Sequence, residues 1–349
     1  MLFSLTRRLL FLLPPERAHD ISMATLDGAE KLGLMRFRPD PIEAPVELMG
    51  LRFRNRVGLA AGLDKNADHI GGLAGLGFGF LEVGTVTPRP QPGNDRPRLF
   101  RLPEKRALIN RMGFNNKGVD YLLEQLDTQR RPHIPIGINI GKNRDTPNDQ
   151  ALTDYRHCLE AVYGAADYVT INLSSPNTPG LRQLQEGQAL QGLVNSLMQT
   201  RAALADKTDR YVPVLVKVAP DIDPIPLTEL ADTLLEAGVD GIIATNTTLD
   251  RQGVAGMEHA DEVGGLSGQP LTEKSTDVVR RLRSHIGNQC ILIAAGGIVN
   301  AKDAVDKVNA GADLVQIYTG LIYQGPSLIS QSASALANMP CETRRSPSK

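Results

Sequence analysis

From residue 51 onward, short apolar runs alternate with longer stretches in which apolar residues recur at helical spacing. Eight of the short runs are rich in β-branched residues and predict buried strands. These runs lie at residues 57–61, 80–84, 136–140, 168–173, 214–218, 241–245, 291–295 and 314–318. Each run ends in small or polar residues before a helical pattern leads to the next one. Glycine stands just before two of them, at Gly238 and Gly311, where it suits the left-handed residue that ends a helix.

Alternating strands and helices predict an α/β protein with a parallel sheet, and eight such units predict a (β/α)8 TIM barrel over residues 39–336. A doubly wound open sheet is the alternative fold, but no G-x-G-x-x-G pattern follows the first predicted strand. Beyond the barrel, residues 337–349 are rich in Pro, Ser, Arg and Lys. We expect this segment to be a disordered tail.

The first 38 residues have a different pattern, which predicts a two-helix extension. An apolar stretch split by an arginine pair is stopped by two prolines, and a second helical pattern follows from about residue 16 to 34. Neither piece has the roughly 20 apolar residues of a transmembrane helix. A secretory signal fits poorly, because the apolar core is short and no small-residue cleavage site follows it. Two amphipathic helices favour either a peripheral membrane contact or an arm packed on its own domain or on a partner subunit.

Composition narrows the class of protein. Of the 349 residues, 41% are apolar and 22% are charged, which is typical of a globular protein with an ample core. The formal net charge of -1 gives no reason to expect nucleic acid as a partner. Cys158, Cys290 and Cys341 are far apart and form no C-x-x-C pair, which argues against a disulfide framework or a chain-encoded iron–sulfur cluster. A reducing, cytosol-facing location is therefore expected.

The densest group of polar residues follows the fourth predicted strand, where Pro176 interrupts the strand pattern. Asn172, Ser174, Ser175 and Asn177 stand within six residues of one another. In a TIM barrel, the catalytic and binding residues lie at the C-terminal ends of the strands. Amides and hydroxyls crowded there suit a planar, uncharged polar ligand. The alternative is a capped loop, since Ser and Asn favour turns.

Lys65 and Lys217 are the charged groups that we expect to point into the barrel. Lys217 interrupts the apolar run VLVKV, and burying a lysine there is costly unless it faces a partner. Alternatively, its tip reaches out of the outer face of the strand, although helices cover the outside of a barrel.

Glycines follow the last two predicted strands, where barrels commonly bind phosphate. Gly296, Gly297 and the pair Thr319-Gly320 allow backbone N–H groups to approach an anion, although a Gly-Gly pair alone is often only a turn. No aspartate–histidine pair or carboxylate cluster lies on the predicted strand ends, so no metal is expected. A phosphate-bearing organic cofactor such as flavin mononucleotide (FMN) would fit. The alternative is a Schiff-base lyase or aldolase with Lys217 as the nucleophile.

Seven short stretches run through nearly the whole chain: NRVGLAAGLDK at 55–65, EVGTVT at 82–87, NRMGFNN at 110–116, NLSSPNT at 172–178, VKVAPD at 216–221, ATNT at 244–247 and GGI at 296–298. In this order and at these places on the barrel, they resemble the dihydroorotate dehydrogenase family, specifically its class 2, membrane-associated and quinone-linked form. Class 1 members carry cysteine where Ser175 stands, so the serine favours class 2.

The resemblance implies oxidation of (S)-dihydroorotate to orotate in pyrimidine biosynthesis, with one FMN per subunit. In this family a base removes a proton from C5 and a hydride passes from C6 to N5 of FMN. The motif match makes Ser175 the catalytic base, with Thr178 as a candidate member of its proton route. The implied substrate site consists of Lys65, Asn110, Arg111, Met112, Gly113, Phe114, Asn172, Asn177, Asn246 and Thr247. The implied FMN site consists of Ala61, Gly62, Leu63, Asp64, Lys65, Thr85, Asn139, Asn172, Lys217, Thr245, Gly268, Gly297, Tyr318 and Thr319.

The resemblance also gives the N-terminal extension a role. In class 2 enzymes two helices dock on the membrane and form a tunnel that brings a lipophilic quinone to the flavin. Residues 1–38 fit that extension. In the substrate site, the resemblance further implies that Lys65 pairs with the carboxylate of the substrate. Because no targeting pattern precedes the extension, we expect a bacterial-type peripheral protein on the cytoplasmic face of the inner membrane.

Overall fold

The computed structural model describes residues 2–341, and its centre is a closed barrel of eight parallel strands. The strands are β1 (Val46–Leu48), β2 (Leu51–Phe53), β3 (Val57–Leu59), β4 (Phe80–Val86), β5 (Leu99–Leu102), β6 (Ala107–Asn110), β7 (Ile136–Ile140), β8 (Tyr168–Asn172), β9 (Val214–Val218), β10 (Gly241–Ala244), β11 (Gly265–Gly268), β12 (Ile291–Ala295) and β13 (Leu314–Ile317). Around the barrel the order is β10-β12-β13-β3-β4-β7-β8-β9. Each of the eight predicted strands is a barrel strand, so the predicted TIM barrel is confirmed.

Helices follow the barrel strands and cover their outer face. They are α3 (Ile70–Ala74), α4 (Val119–Thr128), α5 (Ala151–Val162), α6 (Gly187–Thr208), α7 (Pro224–Glu236), α8 (Thr272–Ile286), α9 (Ala301–Asn309), α10 (Thr319–Gln324) and α11 (Ser327–Leu336). Every residue of β7, β8, β9 and β12 is buried. Strands buried on both faces are continuous apolar runs rather than alternating ones, which is why the sequence predicts them well.

A short antiparallel hairpin of β1 and β2 closes the N-terminal end of the barrel. Its Leu48 and Phe53 join the apolar cluster that holds Phe80 and Tyr168, the first residues of β4 and β8. The rings of Phe53 and Phe80 meet edge to face, with centroids 5.2 Å apart. The sequence did not predict this hairpin, because three-residue strands offer too short a pattern.

A second small sheet outside the barrel lies at its C-terminal end, where β11, β6 and β5 pair in antiparallel order. Residues 265–268, in the long connection after β10, form the strand β11 of this sheet. Its register pairs Gly265 with Asn110 and Gly268 with Ala107. This pairing brings two segments that are far apart in sequence to the same rim of the barrel.

The N-terminal extension consists of α1 (Leu2–Leu10) and α2 (Pro15–Lys31), followed by a 3-10 turn at Leu34–Phe37. We call residues 2–37 the arm. The predicted two helices are confirmed, and α2 packs on α3 and β5. Arg98 donates two hydrogen bonds to one carboxylate oxygen of Glu16, at 3.0 and 2.9 Å, and Asp27 lies 2.8 Å from Nδ1 of His69. The arm is therefore fixed to its own barrel.

The last helix ends at Leu336, the predicted end of the barrel domain. Met339 still packs against the main core. Of the tail expected at residues 337–349, the segment 342–349 lies outside the described residues. None of the helices between residues 2 and 341 combines the length and the apolar character needed to cross a bilayer.

Candidate functional site

The C-terminal end of the barrel holds a cleft with a cavity volume of about 150 Å³, which we call the barrel pocket. It is lined by strand ends and by the sheet β11-β6-β5, as expected for a TIM barrel. Most of the residues predicted for the site meet here. Those that line the pocket are Ala61, Gly62, Lys65, Thr85, Asn110, Met112, Gly113, Phe114, Asn172, Ser175, Asn177, Lys217, Thr245, Asn246, Thr247, Gly268, Gly297, Tyr318 and Thr319.

Four residues predicted for the site do not line the barrel pocket. Leu63 and Asp64 face a neighbouring cavity. Asn139 is fully buried beneath the pocket floor, where its side chain contacts Thr85. Arg111 forms an ion pair with a glutamate of the loop before β11 and stacks over the ring of Phe100 at 4.6 Å. Asn139 therefore supports Thr85 from below the pocket, and Arg111 is turned away from the pocket.

Asn172, at the end of β8, is the centre of a hydrogen-bond network under the pocket. Its Nδ2 donates to Thr85 Oγ1 at 3.0 Å and to Asn139 Oδ1 at 3.1 Å. Its Oδ1 accepts from the backbone N–H of Ser174 at 3.2 Å and from Nδ2 of Asn246 at 3.4 Å. Because donors and acceptors on both sides fix this amide, its orientation is set before any ligand binds.

Ser175 lines the pocket and is 5% exposed. Its Oγ accepts the backbone N–H of Asn177 at 3.2 Å, which leaves the hydroxyl proton and one lone pair for a ligand. The side chain of Asn177 is itself held by Asn110 Oδ1, 3.1 Å from its Nδ2. Thr178 Oγ1 is buried without a hydrogen-bond partner among the described residues. A water molecule would give this hydroxyl a partner.

A buried carboxylate in the barrel interior was missed by the sequence analysis, which expected only Lys65 and Lys217 to bring charge there. That expectation was wrong, because Glu82 on β4 is fully buried inside the barrel. It accepts hydrogen bonds from four side chains, on Asn139 (2.8 Å), Gln316 (2.7 Å), Tyr168 (3.1 Å) and Thr170 (3.3 Å). Side chains two residues apart on a strand point to the same face. Glu82 lies two residues before Gly84 on a buried strand, and this spacing is the signal that would have identified it as facing the barrel interior.

Lys217 and Lys65 both reach the pocket, and no hydrogen bond within residues 2–341 uses either ammonium. Burial lowers the pKa of Lys217, and the charge of Glu82 opposes that shift. Burial also lowers the pKa of Lys65 to about 8, assisted by the positive charge of Arg98. Two cations with free donors beside a set of fixed amides suit an anionic or electron-rich planar ligand.

The glycines after β12 and β13 form a cradle at one end of the pocket. Gly297 has φ +75°, and a Cβ added there would lie 2.3 Å from Cα of Thr272. A Cβ on Gly320 would lie 2.1 Å from the carbonyl oxygen of Ile298. Thr319 Oγ1 and Ser267 Oγ are 2.8 Å apart at the same end. Only glycine fits at these two positions, and the exposed backbone suits a phosphate.

A second cavity of about 500 Å³, which we call the arm cavity, lies between the arm and the barrel. Its walls are largely apolar, with contributions from Phe11, Met23 and Leu321. It shares four wall residues with the barrel pocket, which are Gly62, Lys65, Met112 and Tyr318. The two spaces are thus separated by a single layer of side chains.

The sequence analysis did not identify two polar groups of the arm cavity, His19 and Arg101. His19 lines it, and burial together with the charge of Lys65 lowers the pKa of this imidazole to about 4. Arg101 lines it as well and donates to the carbonyl oxygens of Phe11 (3.3 Å) and Leu13 (2.8 Å). His19 and Met23 have the i, i+4 spacing of one helix face, which was the available signal. Within the described chain, no group of three or more His, Cys, Asp or Glu could hold a metal ion.

Comparison with known proteins places this architecture in a family. The family model described as dihydroorotate dehydrogenase matches residues 43–339. A protein of Marinobacter nauticus named dihydroorotate dehydrogenase (quinone) is 54% identical over 336 residues, covering 96% of this chain and 98% of that protein. A Pseudomonas aeruginosa protein of the same name is 53% identical over 340 residues, covering 97% and 99%.

Solved structures that resemble this chain belong to the same family as these relatives. The crystal structure of DHODH from Eimeria tenella in complex with ferulenol superposes with a TM-score of 0.84 and is 38% identical, covering 92% of this chain and 90% of that one. The ligand-free form from the same organism gives a TM-score of 0.82 at 39% identity. The family model covers all eight strands of the barrel, and the bacterial relatives align with 96–97% of the chain, which includes part of the arm. The chain belongs to the dihydroorotate dehydrogenase family.

Proposed function

We propose that this chain oxidises (S)-dihydroorotate to orotate in pyrimidine biosynthesis and passes the electrons through FMN to a lipophilic quinone. The observation that carries the proposal is the pair of adjoining cavities. One lies at the ends of the barrel strands and is lined mainly by amides, hydroxyls and glycines, and the other lies under the arm and has more Leu, Phe and Met side chains in its walls. A shared wall of four residues suits a reaction whose two substrates differ in polarity and exchange electrons through one cofactor.

The barrel pocket fits FMN. The glycine cradle at Gly297 and Gly320 would hold the phosphate, and a side chain at either position would collide with the backbone of Thr272 or Ile298 and displace the cradle. Gln316 lines the pocket, and its buried Oε1 has no donor among the described residues, so a ligand N–H would satisfy it. Lys217 would place positive charge beside the ring system. Bound FMN would supply a two-electron acceptor for the hydride that leaves C6 of the substrate.

The asparagines of the pocket would hold the substrate. Asparagine offers a donor and an acceptor together, which matches the alternating N–H and C=O edge of a dihydropyrimidine dione. Asn110 and Asn177 hold each other at 3.1 Å, and Asn246 is tied to Ser174 at 3.0 Å. Lys65, with its free ammonium, would pair with the carboxylate. These contacts would hold the ring in one orientation in a pocket that Ser175 also lines.

Ser175 would remove the proton from C5. A serine hydroxyl is a weak base unless its own proton has somewhere to go. The N–H of Asn177 orients Oγ by donating to it, and Thr178 offers a buried hydroxyl three residues away. A water between these hydroxyls would carry the proton outward. The remaining pocket residues exclude bulk water and hold the substrate in place.

The arm cavity would receive the quinone. A lipophilic quinone has a long apolar body and two carbonyl oxygens, so it needs an apolar channel with a few donors at its inner end. Met23 and Leu26 supply the apolar wall, whereas His19 and Arg101 supply polar groups. Tyr318 belongs to both cavities, and its hydroxyl lies 3.4 Å from the carbonyl oxygen of Gly62.

The arm would also provide a peripheral membrane contact, on the cytoplasmic face of the bacterial inner membrane. Leu9 is 60% exposed and Leu12 is 81% exposed, and Leu32 and Phe37 are similarly open at 74% and 73%. Arg7 and Arg8 directly precede Leu9 on α1. Exposed apolar side chains next to arginines are typical of helices that lie in the interface of an anionic bilayer.

An anaerobic absorption spectrum of the purified protein tests the redox function. A flavin band that bleaches with dihydroorotate and returns with a short-chain quinone is the expected result. A protein that stays colourless even after reconstitution with FMN would overturn the FMN assignment.

Co-sedimentation with phosphatidylglycerol vesicles tests the membrane contact. Leu9→Glu and Leu12→Glu should each reduce the bound fraction, because burying a charge in the acyl region is unfavourable. Ile225→Glu is the matched control, since Ile225 is 72% exposed on α7 and lies on the barrel. Equal loss of binding in all three variants would contradict a role for the arm.

A further inference from the structure

Behind the glycine cradle lies a lysine that the proposed reaction does not use. Lys307, on α9, is fully buried. Its ammonium donates to the carbonyl oxygen of Thr272 at 3.0 Å, to Oγ1 of Thr276 at 2.7 Å and to Oγ of Ser275. All three partners stand in the first turns of α8 and none is charged. A buried ammonium without a carboxylate partner is costly, so its position calls for a compensating anion.

The nearby carboxylates are committed elsewhere. Asp306 is paired with Lys302 at 2.6 Å, and Asp303 accepts the backbone N–H groups that begin α9. Neither forms an ion pair with Lys307 among the described residues. The first turn of α8 adds to the cost, since the N-terminal end of a helix carries partial positive charge.

The partners of Lys307 lead directly to the glycine cradle. Oγ1 of Thr272 donates to the carbonyl oxygen of Gly297 at 2.6 Å. Oγ of Ser275, which accepts from Lys307, lies 2.9 Å from the carbonyl oxygen of Gly296 and 2.8 Å from that of Leu271. The carbonyl groups of both glycines are therefore turned towards α8 and away from the pocket.

This arrangement fixes the donors that face the pocket. The peptide bonds after Gly296 and Gly297 are trans, and in a trans peptide the N–H points opposite to the C=O. The N–H groups of Gly297 and Ile298 are therefore directed away from α8, and both residues line the pocket. Two aligned N–H groups form a concave site for an anion.

We propose that Lys307 is a positioning residue for the phosphate of FMN: it holds the cradle through Thr272 and Ser275 and supplies the positive charge that a bound phosphate balances. The inference rests on the proposed flavin function. A lysine that only tied α9 to α8 could be replaced by a neutral donor, and it would not discriminate between ligands with and without a phosphate.

Riboflavin, which has the same ring system as FMN but no phosphate, separates these two roles. Flavin affinity is measured on reconstituted protein by the quenching of flavin fluorescence. Lys307→Met should weaken FMN binding about tenfold, the size of a partly screened charge interaction, and change riboflavin binding less than about twofold. Lys302→Met is the matched control, because that lysine is on the same helix with its side chain 79% exposed, and it should change neither affinity.

Proton uptake gives a second readout. Burial lowers the pKa of Lys307 to about 7, while Asp303 and Asp306 raise it and Arg280 lowers it further. The other elements packed on α9, which are β13 and α11, carry no ionisable side chain. A bound phosphate favours the protonated lysine, so FMN binding should take up protons near pH 8. The phosphate itself is then already a dianion, since its second pKa is about 6.

Calorimetry in buffers of different ionisation enthalpy measures that uptake, which Lys307→Met should reduce. Lys65 and Lys217, which line the pocket, supply the remainder. If the variant weakens both flavins equally, or leaves the uptake unchanged, the proposal is overturned. Should Lys307→Met fail to fold, Lys307→Gln keeps a neutral donor and must show the same selective loss of FMN. A wild-type protein that binds neither flavin would instead overturn the proposed function itself.

Discussion

The barrel pocket and the arm cavity share a wall but are built differently. In the barrel pocket, polar side chains at the strand ends bond to one another, as Asn172 does with Thr85 and Asn139. In the arm cavity, the walls are mostly apolar and come from two separate parts of the chain. A few polar contacts, such as the Glu16–Arg98 pair, hold them together. The first site is therefore preorganised by the barrel, whereas the second exists only while the arm is docked.

This contrast predicts that the two half-reactions can be damaged separately, and Ser175→Ala should give the largest effect. Flavin reduction by dihydroorotate should slow by about 10²–10⁴-fold, the usual contribution of a positioned base. Reoxidation by quinone should stay at the wild-type rate, since Ser175 does not line the arm cavity. Stopped-flow absorption measures both steps, and near-normal flavin reduction would show that Ser175 is not the base.

Removing residues 1–38 should produce the opposite pattern. One wall of the arm cavity is lost, so reoxidation by a lipophilic quinone should slow by about 10²-fold, the cost of losing a positioned reactant. Flavin reduction and retention of FMN should be preserved. Unchanged quinone kinetics together with unchanged vesicle binding would contradict the role of the arm.

Lys65, in the wall shared by the two cavities, allows a pH test of its predicted contact with the substrate carboxylate. Burial lowers the pKa of Lys65 to about 8, so the free enzyme loses this positive charge as the pH rises through that value. The kcat/KM for dihydroorotate should then fall about tenfold per pH unit above it, provided that only the charged lysine binds the carboxylate. Lys65→Arg, which keeps its charge, should remove this decline. A pH profile that stays flat in the wild type would exclude the predicted contact.

We expect the smallest effect from a substitution at Glu16, whose ion pairs hold the arm on the barrel. Glu16→Gln removes the ion pairs with Arg98 and Arg96 but keeps the shape of the side chain. Because the pair with Arg98 is only partly buried, its loss should raise the KM for quinone by roughly threefold to fivefold, or about 1 kcal/mol. Flavin reduction should not change. An equal effect on both half-reactions would mean that arm and barrel do not act as separable units.

The same contrast explains how much of the site could be predicted from the sequence. The strand ends that line the barrel pocket carry their polar residues within a few positions of an apolar run, as in NLSSPNT after β8. A local pattern is enough to identify such residues. Asp27 and His69, by contrast, are 42 residues apart and lie in different elements. No local pattern indicates that they meet.

Apolar periodicity along the sequence predicted the barrel and the two helices of the arm, because the period of apolar residues is a local property. The resemblance of short motifs to a known family implied most residues of the barrel pocket. Tertiary structure alone decided the burial of Glu82 within the barrel, the place of Lys307 behind the glycine cradle and the arm cavity itself. Each of these arises where distant segments pack together, and a buried charge shows its role only when the groups around it are known.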